Sequence, residues 1–425
     1  MRNYFKPISI SLSPNVEKDD VILALKMFFQ PWEWKRGRVI KALEEIFKSF
    51  FDVQYAFSFN SGRSSLYAIL KAFNFEKGSQ VMIQAFTCNA VPNPILWAGL
   101  EPIYVDCNMN DFNISLEDLQ NKLTEKSKAV IVQHTFGLPA DIENIKNFCN
   151  ENNLILIEDC AHALGAEYHG KKLGTFGDVA FFSFARDKVI SCVYGGMAIT
   201  NNDEIGRKLR SFQEEIGYPG YFWIFQQLFH PIFLHFVILP MYAFLDLGKI
   251  FLVLSQWIHI LSKAVSWQEK RGLRPDYFPK ALPNALSIIA VHQFKKLDKF
   301  NRHRKEIAEF YFKELSSFAK ASGDNADFIL PKHEGIFLRF SVRHKMAHRI
   351  IYKAWHEKNI LLGDWYTSPV APDDTNLDTM KYKVGSCKNA ENLAKETFNL
   401  PTHINISRFE AERIVRFLYE FKRSQ

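Results

Sequence analysis

Short apolar runs alternate with polar, helix-forming segments between residues 56 and 200, and this alternation restricts the fold more than any other feature. The helical segments include Ser64–Phe73 and Ile142–Asn150. Strands that alternate with helices are typical of an α/β domain. The pattern predicts a mostly parallel central sheet with helices on both faces, next to which Met197–Thr200 pairs antiparallel. The other predicted strands are Ala56–Phe59, Gln80–Gln84, Pro102–Val105, Ala129–Gln133, Leu154–Ile157 and Ala180–Phe184.

The remaining sequence predicts further parts on either side of this domain. Val21–Phe51 reads as helical, and a long amphipathic helix is expected from beyond Lys280 to about Leu315. Residues 335–425 alternate short β runs and helices. We therefore expect a large domain at 1–283 with an N-terminal helical arm, and a smaller C-terminal α+β domain at 284–425. A chain of 425 residues that is 47% hydrophobic has enough core for both.

Charge and cysteine content exclude several classes of function. The net charge of +7 comes from 53 basic and 46 acidic residues spread along the chain, so no nucleic-acid partner is expected. Six cysteines occur without a CxxC pair, so no metal site or redox motif is predicted. Met1–Asn15 lacks the apolar core of a secretory signal, and a cytoplasmic location is expected.

Two ionisable side chains follow apolar strands. Asp159 ends the run Ile155–Asp159, and Lys188 comes shortly after Ala180–Phe184. Carboxyl ends of parallel strands share one edge of the sheet, where ligands bind in open α/β folds. A lysine at such an edge can be the amine that bonds to a carbonyl. Taken singly, Asp159 is equally a helix cap and Lys188 is more often a solvated surface lysine.

A third feature is the turn Asn60–Leu66 between a strand and a helix. Backbone N–H groups at a helix N-terminus bind phosphate, and Arg63 and the hydroxyl of Ser183 can add donors. Taken alone, the turn is equally an ordinary cap. A phosphate site, a carboxylate for a ring nitrogen and a lysine for an aldehyde together form the set that pyridoxal 5'-phosphate (PLP) requires.

With these motifs in order, the chain resembles the DegT/DnrJ/EryC1/StrS family of sugar aminotransferases, which have PLP-transferase fold type I. The resemblance covers most of the chain apart from about 212–278. The matching motifs are Ser61-Gly62-Arg63, Glu158–Ala166, Gly174–Asp178, Phe182-Ser183-Phe184 with Lys188 and Gly195-Gly196, Gln293–Asp298 and Leu400–His403.

The resemblance implies a role for each of these residues. Lys188 would hold PLP as a Schiff base, Asp159 would pair with the ring nitrogen, and His162 would lie beside the ring. Gly62, Arg63 and Ser183 would hold the phosphate. The family implies transfer of an amino group from glutamate or glutamine to a keto sugar, commonly on a nucleotide, by a homodimer.

Two positions depart from the family pattern. Cys88 follows Thr87 where the family commonly has an aromatic residue that stacks on the ring, and Pro279–Leu282 replaces an Asn-x-Arg-Met motif that contacts the partner's phosphate. Two alternatives therefore stay open. One is other PLP chemistry such as a sugar dehydratase, although the dehydratases carry His at the position of Lys188. The other is a PLP-binding sensor or scaffold without turnover.

An apolar insertion at about 212–278 is the last unusual feature. Tyr221–Leu245 and Ile250–Ser262 contain no Asp, Glu, Lys or Arg. The favoured interpretation is a helical hairpin at 221–262 that lies on the inner membrane surface, with the cations that follow it on anionic lipid. Burial in an oligomer and a true membrane span are the alternatives. A membrane location would fit a sugar on a lipid carrier.

Overall fold

A computed structural model describes residues 7–242, 244, 247–321 and 328–424. Its strands are β1 (Ile8–Ser9), β2 (Tyr55–Phe59), β3 (Gln80–Gln84), β4 (Thr87–Cys88), β5 (Glu101–Val105), β6 (Ser127–Gln133), β7 (Ile155–Asp159), β8 (Glu167–Tyr168), β9 (Lys171–Lys172), β10 (Val179–Ser183), β11 (Gly196–Thr200), β12 (Phe340–Arg343), β13 (Ile360–Leu361), β14 (Val370–Ala371) and β15 (Thr397–Leu400). Its α-helices are α1 (Lys18–Phe28), α2 (Val39–Phe51), α3 (Gly62–Phe73), α4 (Pro92–Trp97), α5 (Leu116–Asn121), α6 (Ile142–Glu151), α7 (Asp203–Ile216), α8 (Tyr221–Phe233), α9 (Leu239–Met241), α10 (Leu247–Trp257), α11 (Asn284–Phe294), α12 (Leu297–Ala321), α13 (Ala347–Lys358), α14 (Lys388–Glu396) and α15 (Arg408–Arg423).

The central sheet has seven strands in the order β2-β11-β10-β7-β6-β3-β5. The strands from β10 to β5 are parallel, and β11 is antiparallel to both of its neighbours. The prediction of an α/β fold with a mostly parallel sheet is confirmed, and Met197–Thr200 pairs antiparallel as expected. Because β2, β7 and β10 run in the same direction, their carboxyl ends lie at one edge of the sheet.

Helices cover both faces of this sheet, as strand β6 shows. Ala129 and Ile131 pack into one core, whereas Val130 and Val132 pack into a second core on the opposite face. Successive side chains of a strand point to opposite faces, so a strand covered on both sides reads as a continuous apolar run. This burial explains why the strands of the central sheet could be predicted from the sequence.

Two long helical segments are each divided in the structure, and here the sequence prediction was wrong in detail. Val21–Phe51 forms α1 and α2, with a 3₁₀ turn at Pro31–Glu33 between them. Proline lacks a backbone N–H, so Pro31 cannot donate the hydrogen bond to the preceding turn that would extend the helix. The segment after Lys280 forms α11 and α12 instead of one helix.

The C-terminal part contains helices and short strands, among them the antiparallel pair of β12 and β15. The N-terminal segment joins it, because β1 pairs with β13. The elements after residue 284 are of the α+β kind that the sequence predicts, and the domain boundary itself stays a prediction.

The insertion is helical and packs on the rest of the chain. Helix α8 continues through a π-helical turn at Leu234–Ile238 into α9, and α10 follows. Phe28 of α1 contacts Phe225 and Phe229 of α8, with ring centres 5.4 and 6.2 Å apart. By length and composition the 21-residue helical run Tyr221–Met241 could cross a membrane, and half of its most apolar stretch is buried inside the protein.

Candidate active site

Asp159 lies at the carboxyl end of β7, next to β10. Its carboxylate accepts a hydrogen bond of 2.9 Å from the N–H of Ala161, and the side chain is only 3% exposed. Burial raises the pKa of Asp159 to about 6, against the effects of the Ala161 hydrogen bond and of the cation on Lys188. The carboxylate is therefore poorly solvated and suited to pair with a positive group.

The preceding residue, Glu158, has a different environment. Its carboxylate accepts hydrogen bonds of 2.7 to 2.8 Å from the N–H groups of Gly174, Phe176 and Gly177, and it lies 3.3 Å from Nε2 of His134. Burial alone would raise the pKa of Glu158, but these hydrogen bonds and the charge of His134 lower it overall. Glu158 thus holds the loop at 174–177 in place.

Lys188 lies in the loop that follows β10. Its Nζ is 4.9 Å from the ring centre of Trp365, and Asp159 is among the charges that act on it. Burial lowers the pKa of Lys188 to about 8, and Arg339 adds to this shift. The lowered pKa increases the fraction of neutral amine near neutral pH, and the neutral amine is the form that attacks a carbonyl.

The backbone of this lysine loop is held by distant parts of the chain. Asn15 donates a hydrogen bond of 2.5 Å to the carbonyl oxygen of Lys188, and Arg304 donates one of 2.8 Å to that of Val189. Arg304 also donates to the side-chain oxygen of Asn15. Asn15 and Arg304 thus hold the backbone of this loop, and the sequence does not indicate these contacts because both residues are far from the lysine along the chain.

His162 is buried near Lys188. Its Nδ1 accepts a hydrogen bond of 3.2 Å from the N–H of Phe136, and its Nε2 is 3.4 Å from the hydroxyl of Tyr366. Its ring lies against that of Trp365, with centres 5.3 Å apart. Burial holds the pKa of His162 well below its usual value, so the imidazole is neutral.

The predicted phosphate-binding turn forms the start of α3. The hydroxyl of Ser61 accepts a hydrogen bond from the N–H of Ser64 and caps the helix. A Cβ on Gly62 would lie 3.1 Å from the Cβ of Ser183, and one on Gly196 would lie 2.5 Å from the carbonyl carbon of Ser61. Glycine at these positions lets the helix start approach the end of β10, so Gly62 and Ser183 do lie together.

Arg63, by contrast, points into the insertion. Its guanidinium forms a buried ion pair with Glu269 and donates a hydrogen bond of 3.0 Å to the carbonyl oxygen of Ala264. Its Cζ is 4.8 Å from the ring centre of Phe278. The structure thus gives the Arg63 side chain a partner that sequence reasoning did not consider, and its phosphate role stays a prediction.

The second half of the insertion packs beside the lysine loop. Arg186 donates a hydrogen bond of 2.6 Å to the hydroxyl of Ser262, and Tyr194 donates one of 2.5 Å to the carbonyl oxygen of Lys263. Together with the Arg63–Glu269 pair, these bonds join residues 262–269 to the site. The insertion therefore forms one side of the candidate site.

Two more residues of the site come from the C-terminal part. Trp365 contacts both His162 and Lys188, and Arg339 lies with its Cζ 3.5 Å from the centre of the Trp365 ring. From the sequence, the region Asp364-Trp365-Tyr366 is expected to shape the acceptor site, without a role for any single residue. Arg339 lies in an α+β segment without a motif, so the sequence gave no indication of it.

A model of the DegT/DnrJ/EryC1/StrS aminotransferase family matches residues 16–219 and 278–419. The unmatched stretch between the two blocks coincides with the insertion expected at about 212–278. GDP-perosamine synthase of Vibrio cholerae is 37% identical over 174 residues, which are 41% of this chain and 47% of that protein. The match therefore spans about half of that relative's length.

Longer matches agree with this assignment. GDP-perosamine synthase of Escherichia coli O157:H7 is 28% identical over 296 residues, 70% of this chain and 68% of that protein. The structure of Helicobacter pylori PseC, an aminotransferase involved in the biosynthesis of pseudoaminic acid, covers 100% of both chains with a TM-score of 0.73 and 20% identity, and it supports the fold. Because the family model matches most of the chain in order on both sides of the insertion, the protein belongs to the DegT/DnrJ/EryC1/StrS aminotransferase family.

Proposed function

We propose that the protein is a PLP-dependent aminotransferase that moves an amino group from glutamate or glutamine to a keto sugar in the synthesis of a cell-surface glycan or an antibiotic-type sugar. The observation that carries the proposal is the placement of Asp159 and Lys188 at one edge of the sheet, each with its pKa shifted by burial. Membership of an aminotransferase family supports the same conclusion.

The donor set of the site fits PLP. Asp159 offers a buried carboxylate to a protonated ring nitrogen, and Lys188 offers an amine of lowered pKa to an aldehyde. The start of α3, with Gly62 close to the Ser183 hydroxyl, offers N–H and O–H donors to a phosphate. When bound, PLP supplies an electrophilic carbon and an electron-withdrawing ring.

The residues of the chain then have distinct tasks. Lys188 Nζ would take a proton from the α-carbon of the amino donor in the first half of the reaction, and in the second half it would give a proton to the sugar carbon that receives the amino group. Asp159 would keep the ring nitrogen protonated, because its buried carboxylate is poorly solvated and is stabilised by a positive partner. His162 stays neutral and lies against the Trp365 ring, which supports a role beside the cofactor ring.

The test is the visible absorption spectrum of the purified protein with PLP, before and after addition of glutamate or glutamine. We expect a band that the amino donor converts, and the Lys188→Ala variant should lack the lysine-bound band. Lys208→Ala, a surface lysine paired with Glu204, is the control. A band that ignores both donors would favour a different PLP reaction such as dehydration, and absence of any band would favour a non-catalytic scaffold.

We also propose that the apolar insertion lies on the inner surface of the membrane. Most exposed large apolar side chains of the described residues lie in two segments, 22–32 and 221–273. Helix α10 buries small residues, Gly248 and Ser255, and exposes apolar ones, which is the reverse of a helix on the surface of a soluble protein. Its exposed face is apolar and consists of Ile250, Val253, Leu254 and Trp257. A lipid surface would cover such a face, and Trp residues favour the interface.

The membrane-surface interpretation accounts for the contacts of the insertion better than a true span does. His230 in α8 lies 3.1 Å from the hydroxyl of Ser13, and Ser262 after α10 bonds to Arg186. Both halves of the hairpin thus contact the same body of the protein. A surface location supports a sugar on a lipid carrier as the acceptor, with a nucleotide-linked sugar as the alternative. We further propose a homodimer in the cytoplasm, on the basis of the family.

A further inference from the structure

A cavity of about 570 Å³ lies between the N-terminal segment, the insertion and the start of α15. Residues 7–18 form its first wall, the helical run at 231–240 forms the second, and residues 403–410 form the third. Pockets that hold small molecules have volumes of about 300 to 1,000 Å³, so the cavity is large enough for a ligand. The described residues around it do not include Asp159, His162 or Lys188, and it is therefore separate from the candidate active site.

The interior of the cavity is apolar, and polar groups in its lining are already paired. The hydroxyl of Ser13 lies 3.1 Å from Nε2 of His230, and Nε2 of His403 lies 2.7 Å from the carbonyl oxygen of Ser9. Groups that are hydrogen-bonded within the protein offer little to a polar ligand, so the cavity favours a hydrocarbon. The apolar lining includes Ile8, Leu12, Val16, Leu234, Leu239 and Ile406.

The charged lining residues are Glu17, Lys18 and Glu410. All three are partly or fully exposed, whereas Ile8 and Ile406 are buried. The charges therefore mark the mouth of the cavity, and the apolar residues form its interior. An apolar interior with a charged mouth suits a molecule that has a hydrocarbon chain and a polar head, which is the chemistry of a lipid.

The wall that the insertion provides continues into the exposed apolar surface. Pro240 lines the cavity and is exposed. Phe236, about one turn earlier in the same helical run, is 62% exposed. The rim of the cavity thus adjoins the surface that we propose to lie on the membrane, and a hydrocarbon chain has apolar contacts from one to the other.

The wall that the N-terminal segment provides leads to the lysine loop. Pro14 lines the cavity, and the next residue, Asn15, donates a hydrogen bond of 2.5 Å to the carbonyl oxygen of Lys188. The stretches that the family model matches do not include residues 7–15 and 220–277. Most of two walls therefore lies outside the part of the chain that the family shares.

We infer that this cavity binds one hydrocarbon chain of the lipid that carries the sugar acceptor. The inference rests on the lipid-linked form of the proposed function and names the place where the chain binds. Burial of each CH2 group in an apolar cavity strengthens binding about two- to fourfold, so affinity should rise with chain length until the cavity is full. Adsorption to the exposed apolar surface has no such limit.

The test is calorimetric binding of single-chain alkyl phosphates of increasing length to the full chain loaded with PLP, below their micelle concentrations. We expect saturable binding with one chain per protein. Leu239→Trp fills the cavity from the insertion and should weaken binding of decyl phosphate about tenfold or more. Ser11→Trp fills it from the N-terminal wall and should have the same effect.

Val237→Trp is the matched control, because Val237 belongs to the same helical run but does not line the cavity. We expect its affinity for decyl phosphate to stay within about twofold of the wild type. Vesicle flotation should be unchanged in Leu239→Trp, because the exposed face of α10 is intact. Competition between farnesyl diphosphate, which has one chain, and dihexanoyl-phosphatidylglycerol, which has two, separates a carrier lipid from a bilayer lipid.

Absence of saturable binding, or equal binding by the wild type and both cavity-filling variants, would overturn the inference. Tighter binding of the phosphatidylglycerol than of farnesyl diphosphate would also overturn it, in favour of a bilayer lipid. If Leu239→Trp does not fold, Ser11→Trp decides. Binding needs no turnover, so a protein that binds the chain but accepts no amino donor would contradict the proposed aminotransferase and leave the chain site in place.

Discussion

At the scale of single residues, the pKa values of two neighbouring carboxylates on β7 are shifted in opposite directions. Glu158 accepts three backbone hydrogen bonds, and its pKa is lowered, so its charge is well stabilised. Asp159 accepts one hydrogen bond, and its pKa is raised to about 6 by burial. Successive side chains of a strand point to opposite faces, which allows one of the pair to stabilise the fold and the other to face the candidate site.

We predict that Asp159→Asn stabilises the cofactor-free protein. A carboxylate whose folded pKa lies above its unfolded value reduces stability once it ionises, so the gain should be present at pH 7.5 and fade as the pH falls toward 4. A shift of about two pKa units corresponds to about 3 kcal/mol at most. Urea unfolding of the apoprotein at several pH values measures it, while the same variant should bind PLP more weakly.

Glu158→Gln provides the opposite case. Its folded pKa is lowered, so its charge contributes stability above its unfolded pKa, and this contribution is lost as the pH falls through the folded pKa. Glutamine also cannot accept all three backbone N–H bonds. We expect the free energy of unfolding of Glu158→Gln to fall by about 2 to 3 kcal/mol at pH 7.5. Equal changes in the free energy of unfolding for Asp159→Asn and Glu158→Gln would show that the environments of the two residues do not differ.

The lowered pKa of Lys188 predicts a particular pH dependence of cofactor attachment. Only the neutral amine attacks an aldehyde, so the rate of attachment to the apoprotein should rise with pH and level off above about 8 to 9. For a lysine with an ordinary pKa, the rate of attachment would still rise beyond pH 10. Stopped-flow absorption measures the rate, and N-acetyl-lysine in the same buffers is the control. A rise without a plateau would contradict the shift.

At the scale of elements, the insertion is joined to the site by a buried ion pair. Glu269 is 0% exposed and pairs with Arg63 at the start of α3. Its N–H also contacts the Ser266 hydroxyl, and its carbonyl oxygen accepts a bond of 2.9 Å from Asn93. Residues 262–269 are therefore part of the folded core around the site, although the family model does not include them.

We predict that Glu269→Gln destabilises the protein by about 3 to 5 kcal/mol, because it leaves the charge of Arg63 buried without a partner. Removing both charges in Arg63→Met with Glu269→Gln should cost less than the sum of the two single substitutions. Denaturant unfolding of the four proteins gives this coupling energy. Additive costs would indicate that the pair does not hold the insertion in place.

At the scale of the whole molecule, the exposed apolar face of α10 distinguishes membrane binding from oligomer burial. Trp257 on that face is 75% exposed. We predict that Trp257→Ser with Leu254→Ser weakens flotation with vesicles of phosphatidylglycerol and phosphatidylcholine about 100-fold or more, since each buried side chain contributes about 1.5 to 3 kcal/mol. The amino-donor half-reaction should not change.

Phe409→Ser is the control, because Phe409 is 67% exposed on α15, outside the two apolar segments. Equal vesicle binding by all three proteins would refute the membrane interpretation. A change of sedimentation from dimer to monomer in the α10 variant, without vesicle binding by the wild type, would assign the face to a partner subunit instead.

The sequence by itself determined the sheet and indicated two residues of the candidate site. The strands were predicted to within two residues, because strands covered on both faces are apolar throughout. Asp159 and Lys188 could be paired because carboxyl ends of parallel strands must meet at one edge.

Only the tertiary structure decided which distant residues complete that edge. The partner of Arg63 lies 206 positions away in Glu269, and Asn15 reaches the lysine loop from the N-terminal segment. Arg339 and Trp365 come from loops of the C-terminal part. No local periodicity or spacing encodes such contacts, because they arise when separate elements pack together, and their residues become a site only through that packing.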